Sequence, residues 1–135
     1  MPDVVRISAL IDEKSKEAKP RAFQRMARQD DLMLALNYFQ PGYHNEFHHH
    51  FGTSQSFLVI KGELTLRTRK DIGAPIEEFK LKEGDCCMMS VGEYYQLANE
   101  AAEPLVLYQA KRPTRQVQVY GQEPRGEHEY FSELV

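Results

Sequence analysis

The chain has no tryptophan, only two cysteines and no apolar run approaching the roughly 20 residues a membrane-spanning helix requires. Charge of neither sign is in large excess. Seventeen Lys and Arg stand against 20 Asp and Glu in 135 residues, a formal net charge of −3. The basic residues are scattered among acidic ones, so a nucleic-acid or other polyanion surface is not expected. The N-terminus lacks the apolar stretch of a secretion signal, which makes the cytoplasm the expected compartment and excludes a membrane partner. Cys86 and Cys87 are adjacent, and neighbours on a strand point to opposite faces, which disfavours a disulfide between them and fits a reducing environment. One of the two is expected to face the interior as a small apolar residue. No nucleophile elbow, phosphate loop, internal repeat or low-complexity tract is present.

What is present is a series of short apolar segments. From Leu32 they read LMLALNYF, QSFLVI, ELTLRTR, IEEFKL, CCMM, YYQLA and LVLYQAK, separated by PG, KG, DIGAP, EGD and EAAEP. Those separators are turn chemistry, and strands at such intervals predict an all-β antiparallel barrel or sandwich of one domain. In ELTLRTR, Leu64 and Leu66 share one face and Arg67 and Arg69 the other, so one face is wet. SFLVI is apolar on both faces, which predicts cover on its outer face too, by a second copy of the chain in a homodimer. Residues 1–31 are read as a charged N-terminal extension that drapes over the barrel, 32–111 as the barrel core, and 112–135 as a C-terminal strand and packed tail.

The residues that carry chemistry lie between Gly42 and Gly62. On an extended chain, His48 and His50 point the same way while His49 faces away, and an i, i+2 imidazole pair is a ready two-nitrogen clamp for a transition metal. Gln55 follows on a strand whose face it shares with Phe57 and Val59. After Gly92, Tyr95 and Leu97 share a face. Further on, either Leu105, Leu107 and Gln109 or Val106 and Tyr108 point inward. Tyr108 is carried with Phe57, Val59 and Leu97 as a candidate substrate-pocket residue in a mainly apolar cavity. His44 and Glu46 have the parity of His48 if the strand is unbroken; they are read as a general base, a pocket rim or solvated loop residues.

The spacing G(x)5HxH(x)4Q(x)6G, formed by Gly42, His48, His50, Gln55 and Gly62, resembles the first motif of the cupin superfamily, with Gln55 where the family has glutamate. GDCCMMSVGEYYQLAN resembles the second motif, with Gly84, Gly92 and Asn99 at the family's intervals, but with Ser90 in place of proline and Tyr95 in place of the metal-binding histidine. The resemblance covers about residues 35 to 110. It implies a small single-domain antiparallel double-stranded β-helix, or jelly-roll barrel, with a metal site at His48, His50, Gln55 and Tyr95.

The metal would be a divalent or trivalent transition metal such as Fe, Ni, Zn or Mn. A neutral amide is a weaker ligand than a carboxylate, and a phenol binds only where a strongly acidic metal lowers its pKa. Two functions follow from the resemblance. One is a metal-dependent oxygenase, isomerase or lyase acting on a small organic acid, ketone or phenol. The other is a non-catalytic cupin that binds a small ligand, with metal weak or absent.

Overall fold

A computed structural model describes residues 2–49, 53–71, 73–90 and 92–112. The described chain forms α1 (Ile7–Ser15), β1 (Arg21–Gln29), β2 (Leu32–Phe39), β3 (Ser54–Lys61), β4 (Leu64–Arg69), β5 (Glu77–Leu81), β6 (Cys86–Met89), β7 (Tyr94–Ala98) and β8 (Leu105–Arg112). The strands build a five-stranded sheet in the order β1-β2-β8-β3-β6 and a three-stranded sheet in the order β5-β4-β7. All strand pairs are antiparallel. The sheets face each other as a jelly roll, and Phe39, Phe57, Val59, Leu64, Leu66, Leu97, Leu105 and Leu107 fill the space between them. Complete burial of a phenylalanine such as Phe39 or Phe57 contributes on the order of 2–3 kcal/mol.

Each apolar segment from Leu32 onward becomes a strand, and the faces alternate as the sequence predicts: Leu64 and Leu66 are buried while Arg67 and Arg69 are half-buried. Arg67 reaches across the outer face to Glu78 at 3.0 Å and also pairs with Glu100. The β3–β4 turn depends on Gly62, whose φ is +88°. A Cβ there would stand 2.4 Å from the Pro104 carbonyl oxygen, so both conformation and space demand glycine.

The boundary expected at residue 31 moves. RAFQRMARQ reads as polar lead-in, but it is an edge strand paired with the whole of β2, from Arg21↔Phe39 to Gln29↔Leu32, with a bulge at Arg25/Ala27. An edge strand can carry many charges and still bury Ala22 and half-bury Arg21, Phe23, Gln24, Met26 and Ala27. Ahead of it, Ile7, Leu10 and Ile11 recur at helical spacing. They pack onto Ala22, Leu36, Tyr38, Met26, Ile60 and Val106, so α1 covers part of the outer face of the large sheet. The outer side of SFLVI is therefore partly closed by the chain itself: Ile60 lies in this cluster, whereas Leu58 stays 37% exposed. The tail expected over 112–135 falls, after Arg112, outside the described residues.

Candidate ligand site

Before β3 the chain runs alongside the free edge of β7. His48 and Tyr95 exchange backbone hydrogen bonds at 3.0 and 2.8 Å, and Gly42 and Asn99 continue the ladder at 2.8 Å. His44 bridges Ala98 and His48 bridges Tyr95, so four steps on one chain match three on the other. This extra residue breaks the parity that would have put His44 and Glu46 on the face of His48. Both are exposed, and His48 is buried. At the irregularity the Asn45 side chain replaces a missing backbone acceptor: its Oδ1 takes the Leu97 N–H at 2.8 Å.

His48 and His49 face opposite ways, as strand alternation requires. The His48 ring lies 4.3 Å from that of Tyr95, and the His49 ring 4.3 Å from that of Tyr94. His48 Nδ1 meets the Glu46 carbonyl at 2.7 Å, so Nδ1 carries the proton and Nε2 the lone pair of the neutral ring. Burial pushes this imidazole down to about 3; the Glu46 hydrogen bond opposes the shift, and the positive charges of Lys111 and Arg21 add to it. His50 lies outside the described residues, so the expected pair is described here through His48 alone.

Gln55 and Tyr95 are brought together, and they belong to a relay that crosses the barrel. Arg21 on β1 donates to Asn37 Oδ1 on β2 at 2.9 and 3.2 Å. Asn37 Nδ2 donates to Gln109 Oε1 on β8 at 2.9 Å, and Gln109 Nε2 to Gln55 Oε1 on β3 at 3.0 Å. Gln55 Nε2 then donates to the Tyr95 hydroxyl on β7 at 2.7 Å. A guanidinium has only donors, so Arg21 fixes the orientation of every amide after it. The outcome is that Gln55 turns its NH2, not its oxygen, toward Tyr95.

This bears directly on the metal expectation. The Gln55 oxygen is committed to Gln109, and no set of three His, Cys, Asp or Glu side chains among the described residues is placed to hold a metal. Lewis-acid binding needs anionic or lone-pair donors converging on one point; among the described residues His48 Nε2 is such a donor, whereas Gln55 presents its NH2 toward Tyr95.

The pair divides the interior in two. On one side is a chamber of about 10 Å³ lined by Arg21, Asn37, Asn45, Phe57, Tyr95, Leu97, Gln109 and Lys111. On the other, a cleft of about 500 Å³ opens between β5 and β6, walled by Leu66, Thr68, Leu81, Cys87 and Met89 and rimmed by Glu77, Lys80, Asp85 and Glu93. Register places Met89 beside Gln55 and Thr68 beside Tyr95, so these two residues lie between cleft and chamber. Burial raises the Cys87 thiol to about 11, which keeps it protonated as part of the cleft's apolar wall.

Of the pocket residues expected from sequence, Phe57, Val59 and Leu97 point inward and pack in the core. Tyr108 does not join them. Leu105, Leu107 and Gln109 take the inner face, Val106 packs on the outer face under α1, and Tyr108 shares the parity of Val106. Sequence reasoning also missed Asn37, Asn45, Lys111 and Arg21. Asn37 had a signal, as a lone amide inside the apolar run LMLALNYF; Lys111 shares parity with Gln109. Asn45 had none.

No protein-family model and no curated protein sequence matches the chain. Solved structures do. An uncharacterized conserved Klebsiella pneumoniae protein with a double-stranded β-helix domain is 19% identical, with a TM-score of 0.64 over 76% of this chain and 86% of that one. The capsular polysaccharide assembling protein CapF of Staphylococcus aureus is 19% identical, with a TM-score of 0.65 over 71% of this chain, which spans 29% of that protein. An oxalate oxidase is 16% identical, with a TM-score of 0.62 over 73% of this chain and 54% of that one. The chain has the cupin fold, the double-stranded β-helix. No helix among the described residues is long and apolar enough to cross a membrane.

Proposed function

We propose that this chain is a small-ligand-binding cupin that works without a resident metal, and that the ligand occupies the cleft between β5 and β6. The observation that carries this reading is the Gln55–Tyr95 hydrogen bond, whose polarity is imposed from Arg21 and which ties together two of the positions the cupin resemblance assigns to metal ligands. The cleft supplies the rest. Its volume of about 500 Å³ falls within the roughly 300–1,000 Å³ of small-molecule sites, and apolar walls with a charged rim suit a small organic acid, ketone or phenol. Cytoplasmic residence accords with the unpaired Cys86 and Cys87. A homodimer is proposed through the outer face where Leu58 and Met88 remain exposed.

The test is elemental analysis of untagged protein purified without chelator, together with a thermal-shift screen of small acids, ketones and phenols against the parent and Cys87→Trp, which fills the cleft. Metal well below one equivalent and a ligand response lost in Cys87→Trp are expected. One equivalent of Fe, Ni, Zn or Mn that disappears in His48→Ala would overturn the reading in favour of the metal-dependent oxygenase or isomerase, to which the fold similarity to oxalate oxidase lends support. Light scattering on the parent and on Met88→Glu tests the dimer: a monomeric parent at micromolar concentration would sink it.

A further inference from the structure

The cleft between β5 and β6 has a polar end whose charges are of one sign. On β4, Thr68 has the parity of Leu64 and Leu66, so its side chain turns inward and lines the cleft, where it is 4% exposed. Its hydroxyl makes no hydrogen bond among the described residues. Glu77 stands opposite Thr68 on β5 and Tyr95 opposite it on β7, with Glu93 just ahead of that strand. Register therefore gathers Thr68, Glu77 and Glu93 at one end of the cleft, which all three line. Neither of these carboxylates forms an ion pair among the described residues. Asp85 lies at the other end, ahead of β6, and accepts the Lys82 N–H at 2.8 Å. Lys80 is the one cation of the described lining, and its ammonium is spent elsewhere: on Thr65 Oγ1 at 2.7 Å and on the carboxylates of Glu100 and Glu78 at 3.3 and 3.9 Å.

We propose that the cleft selects a primary ammonium with an aromatic tail, the ammonium at Thr68, Glu77 and Glu93 and the ring along Leu66, Leu81, Cys87 and Met89. A primary ammonium carries three N–H donors and one positive charge, and the polar end offers one hydroxyl and two carboxylates to receive them. The Cys87 and Met89 sulfurs favour an aromatic ring over a plain alkyl chain, because thiols and thioethers make favourable contacts with ring edges. This inference rests on the cleft reading above and narrows it. Among the ligands named there, a phenol bearing an aminoalkyl chain is favoured, and a carboxylic acid is repelled by Glu77 and Glu93.

The experiment is calorimetric titration of the full chain, at neutral pH and low salt, with three probes that share one hydroxyphenyl ring: tyramine, para-ethylphenol and para-hydroxyphenylpropionate. Tyramine is expected to bind roughly tenfold or more tighter than para-ethylphenol, and the propionate more weakly than either. Added salt should shrink the advantage of tyramine. Combining Glu77→Gln with Glu93→Gln keeps the shape of both side chains and removes both charges, so the ratio of the tyramine and para-ethylphenol affinities should fall toward one. Thr68→Val, which replaces the hydroxyl by a methyl group, should lower the same ratio severalfold.

Para-ethylphenol or the propionate binding as tightly as tyramine, or a ratio unchanged in both variants, would overturn the proposal. The cleft reading would survive that result so long as binding disappears in Cys87→Trp. If no probe binds, or binding persists in Cys87→Trp, the cleft reading falls and this inference falls with it.

Discussion

The hydroxyl of Tyr95 accepts a hydrogen bond from Gln55 Nε2 at 2.7 Å, with both residues buried. Tyr95→Phe removes that acceptor and leaves an amide donor stranded in the barrel. Loss of about 1–3 kcal/mol is expected, measured as a lower urea midpoint with an unchanged slope. A variant as stable as the parent would mean that the Gln55 amide finds another partner and that the relay does not terminate on Tyr95.

Metal binding should be recoverable by changing the donor set. In Gln55→Glu with Tyr95→His the amide becomes an anionic oxygen ligand and the phenol an imidazole beside His48, which lies 4.3 Å ring to ring from residue 95 in the parent. The double variant should take up zinc or nickel to near stoichiometry where the parent does not, read by elemental analysis after dialysis. Equal metal content in both proteins would show that residues 55 and 95 do not govern the site.

Stability should depend on pH through His48. Its folded pKa, about 3, lies below the ordinary 6.5, so between those values the unfolded chain binds the extra proton and stability rises with pH. As pH falls below about 6.5, the His48 contribution should be lost at about 1.4 kcal/mol per unit, levelling near the folded value. Chemical denaturation of the parent and of His48→Gln at several pH values isolates this slope. A parent no steeper than His48→Gln over that window would contradict the burial-driven shift.

Gly62→Ala should be among the most damaging small substitutions. It combines a left-handed residue, costing about 1–2 kcal/mol, with a Cβ 2.4 Å from the Pro104 oxygen, so the β3–β4 turn or the segment before β8 must move. Gly42→Ala provides the control, since its φ is +89° and a Cβ there meets nothing within 4 Å. Comparable melting temperatures for the two variants would remove the steric part of the argument.

The strands from Leu32 to Arg112 were legible because alternation and turn residues are local signals, and the spacing of Gly42, His48, Gln55 and Gly62 pointed to the jelly roll without any contact information. β1 and α1 were not legible. An edge strand has one wet face, so RAFQRMARQ looks like solvated lead-in. The helix has no side-chain cap at Arg6 and offers only Ile7, Leu10 and Ile11 as its buried stripe. At the site the structure sets Tyr95 against His48 and Gln55, but what these side chains do to one another was hidden. Their hydrogen-bond polarity is set by Arg21, 34 positions from Gln55 in sequence, and the parity of His44 and Glu46 is broken by a bulge that no local pattern announces. The choice between Tyr108 and Gln109 likewise turned on strand parity.

Control of the barrel centre from its rim has an evolutionary side. If residue 21 were an acidic acceptor instead of arginine, Asn37 would donate outward to it, Gln109 would donate to Asn37, Gln55 would donate to Gln109, and the Gln55 oxygen would swing round to face Tyr95. One substitution at the edge of the large sheet would reverse three amides in concert and present an oxygen where the present chain presents hydrogens. A lineage could thus turn the central amide from its hydrogens to its oxygen without altering any residue at the centre, and a comparison restricted to the centre would not register the change.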